Sequence, residues 1–326
     1  MKRRDFAKIM AASAIGWPLG VFAQPQKWRV GFLHPGSSKA AVAVARIAAY
    51  GEGLNPVALK QAGEAEIVFR FAEDQLNRLP ALAAELVGQG VQAICAAAPP
   101  AVRAARQVTS SVPIVAMDLE SDPVANGWAS SLARPGGNIT GIFLDVPGFS
   151  AKSLQLLSEA VPGIARVAVL WHPAGGPLQL EAARTAAAAM KVALEVFEVS
   201  GPSDFDGAFQ AMAKSGAAGI LMLSSPLFAY SGQVLADLAL RYRMPAISIF
   251  PDFAQKGGLV AYGPDLQSLY PQAGVMTRKL LQGAAAADMP IERPTHFKFV
   301  ANLKTARELG LTMPTSILLG ADEIIE

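Results

Sequence analysis

Short apolar runs ending in turn residues alternate with helix-length amphipathic stretches along most of this chain, and that rhythm constrains its fold more than any single residue does. Trp28–Leu33, Glu66–Phe71, Val91–Ala97 and Pro113–Met117 read as strands. Lys39–Gly53, Asp74–Leu86 and Pro99–Thr109 read as the helices between them, with Asp74 as a capping residue. The second half repeats the order. Strands are expected at Arg166–Trp171, Leu194–Val199, Gly219–Ser224, Pro245–Phe250 and Gly258–Tyr262, and helices at Leu178–Met190, Asp204–Ser215, Ser231–Arg243 and Leu266–Gln282. Strands that alternate with helices imply parallel sheets covered on both faces. So many strands exceed one doubly wound sheet. They divide near residues 142–150, where Pro147 and Gly148 interrupt the pattern. The expectation is an α/β protein of two Rossmann-like lobes with a cleft between them, onto which the carboxyl ends of both sets of strands open.

The 326 residues suit two domains, and 52% hydrophobic against 17% charged residues excludes a disordered chain or a coiled coil. A formal net charge of +2 gives no argument for nucleic acid. Its distribution does carry information. Lys2, Arg3, Arg4 and Lys8 stand against Asp5 in the first 23 residues, so the rest of the chain is near neutral. An apolar run from Ile9 to Phe22 follows those charges and contains Gly16, Pro18 and Gly20. At about 1.5 Å per residue it falls short of a hydrocarbon core roughly 30 Å thick. Charged, then apolar, then Val21-Phe22-Ala23 is the layout of an export signal, and Arg3-Arg4-x-Phe6 with Lys8 resembles the twin-arginine class. Residues 1–23 are therefore expected to be a signal peptide. The mature chain would begin near Gln24 in a periplasmic compartment, with no membrane insertion of its own. The single cysteine, Cys95, excludes an internal disulfide and reads as core.

The sequence shows no glycine-rich dinucleotide or phosphate loop and no G-x-S-x-G nucleophile elbow. The three histidines, His34, His172 and His296, have no ligand spacing to one another or to Cys95. No cofactor and no metal are expected, and no helix-turn-helix precedes Trp28. The informative residues lie at strand ends. In the first half these are His34, Ser37 and Ser38, then Ala98 and Pro99, then Asp118. In the second half they are Trp171 and His172, Ser224 and Ser225 with Phe228 and its neighbour Tyr230, and Phe250, with Tyr262 on the following strand. Hydroxyls and helix N-termini suit a carboxylate. Asp118 suits an ammonium group, and Trp171, Phe228 and Tyr262 suit an apolar or aromatic body. Nothing pairs a base with a nucleophile, so this is the residue set of a small-molecule cleft and not of an enzyme.

Leu132-Ala133-Arg134-Pro135-Gly136-Gly137-Asn138-Ile139-Thr140-Gly141 resembles a signature of the ABC-transporter substrate-binding proteins of the tryptophan-binding, TrpX-like type. Arg78–Val87, Gly257–Gly263, Asn302–Leu311 and the tail Ala321–Glu326 are similar to the same family. The resemblance implies a type I periplasmic-binding-protein fold whose chain passes repeatedly between lobes. The expected lobes are 24–143 plus 258–287, and 144–257 plus 288–326. The chain departs from the family pattern at His172-Pro173-Ala174-Gly175-Gly176 and at His34, both expected to line the cleft. The function implied is an exported solute-binding protein that closes on an amino acid or aromatic carboxylate and delivers it to ABC permease subunits. A ligand-sensing module for a membrane receptor and an exported enzyme are the alternatives.

Overall fold

The computed structural model describes residues 28–39, 41–56 and 65–326. The export-signal reading of residues 1–23 lies outside them. Two sheets form. In the first, β1 (Arg29–His34), β2 (Glu66–Phe71), β3 (Ala93–Ala97), β4 (Ile114–Asp118) and β5 (Ile139–Phe143) run parallel in the order β2-β1-β3-β4-β5. The second contains β6 (Arg166–Trp171), β7 (Ala193–Glu198), β8 (Gly219–Met222), β9 (Ala246–Ser248), β10 (Val260–Pro264), β11 (Phe297–Asn302) and β12 (Glu323–Ile325). Its order is β12-β11-β10-β9-β8-β6-β7, parallel except between β10 and β11. Every residue of β3, β4, β5, β8 and β9 is buried. That is why these strands read as apolar runs and not as alternations. The fold is the two-lobed type I periplasmic-binding-protein architecture.

The chain crosses between lobes three times, and the crossings sit side by side. The first joins β5 to helix α4 (Val146–Ala160). Pro147 and Gly148, read from the sequence as a linker, lie in the first turn of α4, where proline's fixed φ helps a helix start. The return to the first lobe comes later than the expected Gly258, because β10 is hydrogen-bonded into the second sheet between β9 and β11. Helix α10 (Leu266–Leu281) makes the return by packing along α1 (Ala41–Leu54). The two helix backbones meet at glycines: a Cβ on Gly53 would lie 2.0 Å from the Pro271 carbonyl oxygen, and one on Gly274 would lie 2.3 Å from that of Tyr50. The final departure also comes later than expected at Asp288. Ile291 donates its N–H to the Leu132 carbonyl at 2.7 Å, and Glu292 donates to Gly141 at 2.8 Å, both within the first lobe.

Side chains tie the crossings together. Arg293 donates to the carbonyls of Phe143 and Leu144 on the first crossing. The Asp265 N–H donates to His296 at 2.9 Å, joining the second crossing to the third. Phe149 stacks on Tyr262 with centroids 5.3 Å apart, and Phe297 lies 5.2 Å from Phe149. One aromatic ring thus stands beside each crossing. Among the described residues no helix is long and apolar enough to cross a membrane.

Candidate functional site

The carboxyl ends of β1, β3 and β4 face those of β6, β8 and β9, and a cavity of about 60 Å³ lies between them. His34, Arg46, Glu120, Tyr230, Tyr270 and Phe250 define its character, with Ala98 and the apolar Met117, Leu119 and Ile142 completing the first-lobe side. A larger space of about 220 Å³ adjoins it. Tyr230 and Pro226 line both, and His172, Asp74 and Ser200 line only the outer one. Non-glycine residues with left-handed backbone cluster at this edge: Glu73 and Asp74 after β2, and Ala98 after β3 with φ of 69°. Strain of this kind persists where the surroundings fix the chain, often at ligand sites. It also means that Asp74 is not a helix cap; its helix, α2, runs Leu79–Gly88 behind a short 3-10 turn.

One wall is basic. The Gly36 N–H donates to His34 Nδ1 at 2.9 Å, so that nitrogen carries no proton. The ring hydrogen of neutral His34 then sits on Nε2, 2.7 Å from the Tyr230 hydroxyl oxygen, to which it donates across the lobes. Burial, reinforced by the nearby Arg46 charge, lowers the His34 pKa to about 4 and keeps the ring neutral. Tyr230 also stays protonated, because burial raises its pKa. Its own hydrogen remains available for a further acceptor. Arg46, only 8% exposed, lies between two rings, 5.6 Å from the Tyr230 centroid and 5.9 Å from that of Tyr270. Among the described residues no carboxylate forms an ion pair with it. The hydroxyls of both tyrosines also accept hydrogen bonds from it and the Asp252 charge reaches it, which leaves part of its five-donor fork for a further acceptor.

Another part of the lining is acidic. Asp118 Oδ1 accepts the N–H groups of Glu120 and Ser121, both at 2.9 Å, which turns the chain sharply after β4. Glu120 Oε1 accepts the Ser224 hydroxyl of the other lobe at 2.5 Å. Gln179 holds Ser224 in place by accepting its N–H at 2.6 Å and donating to its carbonyl at 2.9 Å. Asp118 Oδ2 and Glu120 Oε2 are buried without a hydrogen-bond partner. Burial raises the Asp118 carboxyl to about 6. For Glu120, burial first and the Asp118 charge second raise it to about 8. Nearby, Arg103 donates to the Ala174 carbonyl at 2.7 Å, a third direct bond between lobes.

Of the residues singled out in the sequence, His34, Ala98 and Phe250 line the inner cavity, and His172 lines the outer one. Asp118 and Ser224 stand behind Glu120. Ser225 caps the short helix α7 (Pro226–Tyr230) by accepting the Leu227 N–H, and its hydroxyl lies 2.7 Å from His172 Nδ1. Ser37 and Ser38 bond the half-turn at Glu73 and do not reach either space. Pro99, Trp171, Phe228 and Tyr262 do not line them either. Pro99 is buried in the first turn of helix α3 (Ala98–Val108), Trp171 and Phe228 pack into the cores around the second sheet, and Tyr262 belongs to the aromatic group at the crossings. Arg46, Glu120 and Tyr270 were not singled out, and Tyr230 was noticed only as a neighbour of Phe228. One signal was present: Arg46 is the sole charge in Ala41–Tyr50.

Residues 43–325 match the model of the ABC transporter substrate binding protein family, and the chain belongs to that family. A curated relative, a tyrosine-binding protein of Clostridioides difficile, is 24% identical over 257 residues, covering 77% of this chain and 72% of its own. Among solved structures, an ABC domain in complex with L-Trp from Streptococcus pneumonia superposes with a TM-score of 0.82 at 22% identity, covering 92% of this chain and all of that one. A conserved domain protein from Vibrio cholerae gives 0.80 at 20% identity, covering 91% and 99%. A ligand-free, open substrate-binding protein with adhesive properties from Clostridium difficile gives 0.64 at 20%, covering 92% and 99%.

Proposed function

We propose that this chain is the exported, periplasmic solute-binding component of an ABC importer, and that it captures an amino acid or aromatic carboxylate between its lobes for delivery to permease subunits. The observation that carries the ligand class is Arg46. It is a buried cation that forms no ion pair among the described residues, although the Asp252 charge reaches it, in a cavity whose remaining walls are mostly apolar or aromatic. Burying a charge is costly unless something of opposite sign compensates it. A ligand carboxylate meets that need and can also accept the free hydrogen of Tyr230. The names of relatives that bind L-Trp or tyrosine point the same way.

Ligand contacts from both lobes would favour the closed form, because only that form brings Arg46 and Tyr270 of the first lobe up to Tyr230 and Phe250 of the second. Permease docking would then read the joined cleft-side surfaces of both lobes. The one serine–histidine contact here joins the Ser225 hydroxyl to His172 Nδ1, and that hydroxyl is engaged as the cap of α7, so the proposal assigns no reaction to it. Calorimetry of the purified protein against the proteinogenic L-amino acids, aryl carboxylates and common sugars tests the reading. Binding of a member of the first two groups is expected. A protein that binds only sugars would refute it.

A further inference from the structure

Resting on that reading, the geometry points to a narrower statement. We infer that the ligand is an α-amino acid whose ammonium group docks on Glu120 while its carboxylate docks on Arg46, and that its binding expels a proton from the buried Asp118–Glu120 pair. Glu120 and Arg46 line the same small cavity and are 3% and 8% exposed. Glu120 Oε2 and Asp118 Oδ2 are buried and have no donor. A carboxylate lacking an amine would satisfy Arg46 and leave both of these oxygens as they are. An ammonium group supplies three donors and a charge of the sign the acid pair lacks.

The proton count follows from the surroundings. Glu120 is bounded by Asp118 and Ser121 on its own turn, Ser224 from the second lobe, and Arg46 and His34 in the same cavity lining. Glu120 also lines, with Arg103, Asp122 and Glu181, a neighbouring space of about 270 Å³. Near pH 7 His34 is already neutral and Arg46 stays charged, so the acid pair is the part of this cluster that changes. Burial and the Asp118 charge outweigh the Arg103 charge, and Glu120 retains its proton up to about pH 8. Placing an ammonium on it favours the carboxylate, and the released proton passes to the buffer.

Titration calorimetry of the full mature protein with L-tyrosine and L-tryptophan, at pH 7 in phosphate and in Tris, reads the release directly. The two buffers differ widely in ionisation enthalpy, so a difference in observed heat counts protons. The expected result is a release approaching one proton per ligand, with affinity weakening by up to about tenfold per pH unit below 8. Their desamino analogues, 3-(4-hydroxyphenyl)propionate and indole-3-propionate, are expected to bind more weakly and without release. E120Q is expected to lose both the release and the pH dependence. The buffer comparison on the unaltered protein stands even if that variant does not fold. Binding of either amino acid with no proton exchanged, or equal binding of its desamino analogue, overturns this inference and leaves the importer reading intact. If none of the four probes binds, the inference falls; the importer reading falls only if the wider panel is also silent.

Discussion

Arg46 and Glu120 are both buried in the lining of one cavity, neither in an ion pair among the described residues, yet they differ in what they can do about it. Arg46 cannot shed its charge, so the fold surrounds it with the faces of Tyr230 and Tyr270. Glu120 can shed its charge, and burial beside Asp118 makes it do so at neutral pH. The site therefore combines a fixed cation with a neutral acid. It attracts an anionic group outright, whereas its second pole forms only when a cationic group arrives. The supporting structure matches this division. The Arg46 wall is fixed by aromatic contacts and by the hydrogen-bond chain through Gly36, His34 and Tyr230. The Glu120 wall leaves two oxygens unused.

The largest effect should come from the fixed cation. Arg46→Met keeps the length and apolar stem but removes the charge, and breaking a buried charge contact costs about 2–5 kcal/mol. Ligand affinity in calorimetry is expected to fall by about 100-fold or more. Arg46→Lys should recover only part of it, since a point charge does not reproduce the planar fork. An affinity within threefold of the parent for Arg46→Met would place the carboxylate elsewhere and dissolve the contrast between the walls.

Next come opposite pH dependences of stability. His34 titrates near 4 in the folded chain against an ordinary 6.5, so the unfolded chain binds more protons between those values. Its contribution, about 3 kcal/mol, is complete above pH 6.5 and is lost as pH falls toward 4. Glu120, raised from 4.5 to about 8, works the other way: the folded chain holds the extra proton, and stability of the ligand-free protein declines as pH rises through that interval. Urea unfolding of His34→Gln and Glu120→Gln across pH 4–8 separates the two. The first variant should lose the acid-side decline and the second the alkaline-side decline. Variants that leave both slopes unchanged would show that neither group is buried as described.

A smaller effect is expected at the junction between lobes. Tyr230→Phe keeps a ring over Arg46 but removes the acceptor of the His34 Nε2–H and the donor offered to the ligand. An unmet buried donor costs about 1–3 kcal/mol. Because the His34 bond joins the lobes, the loss should appear as roughly tenfold weaker ligand binding with little change in unfolding. A drop in unfolding stability with unchanged affinity would make the contact structural only.

Much of the fold was visible in the sequence because strands buried on both faces must be apolar throughout, and the nine expected strands all formed. The region after residue 287 was less legible. Phe297–Asn302 forms β11 beside β10, but Lys298 and Asn302 dilute its apolar pattern. The site was harder still. His34 and Asp118 end strands and so stood out by position. Arg46 lies in a helix, and a lone cation there reads as solvent-facing; only the packing of α1 under α10 and against the second lobe buries it. Glu120 sits in a polar turn two residues past its strand, and its burial depends on Ser224, far away in the chain. Tyr270 comes from the helix that returns to the first lobe after β10, so its proximity depends on a crossing that the family resemblance placed too early, at Gly258.

Tyr262 gives the smallest effect and the sharpest limit on where the site ends. From the sequence it was expected to enclose the ligand; in the fold it stacks on Phe149 beside the crossings and meets Phe299 edge-on at 5.9 Å. Such ring pairs contribute about 0.5–1.5 kcal/mol beyond burial. If they persist in open and closed forms alike, removing one changes both states equally and leaves affinity alone. Tyr262→Leu should therefore lower the unfolding midpoint by a few degrees while changing ligand affinity less than threefold and leaving the order of preferred ligands unchanged. A reordered preference would carry the binding surface past Phe250 to the crossings, and the two-walled description of the cavity would need a third wall.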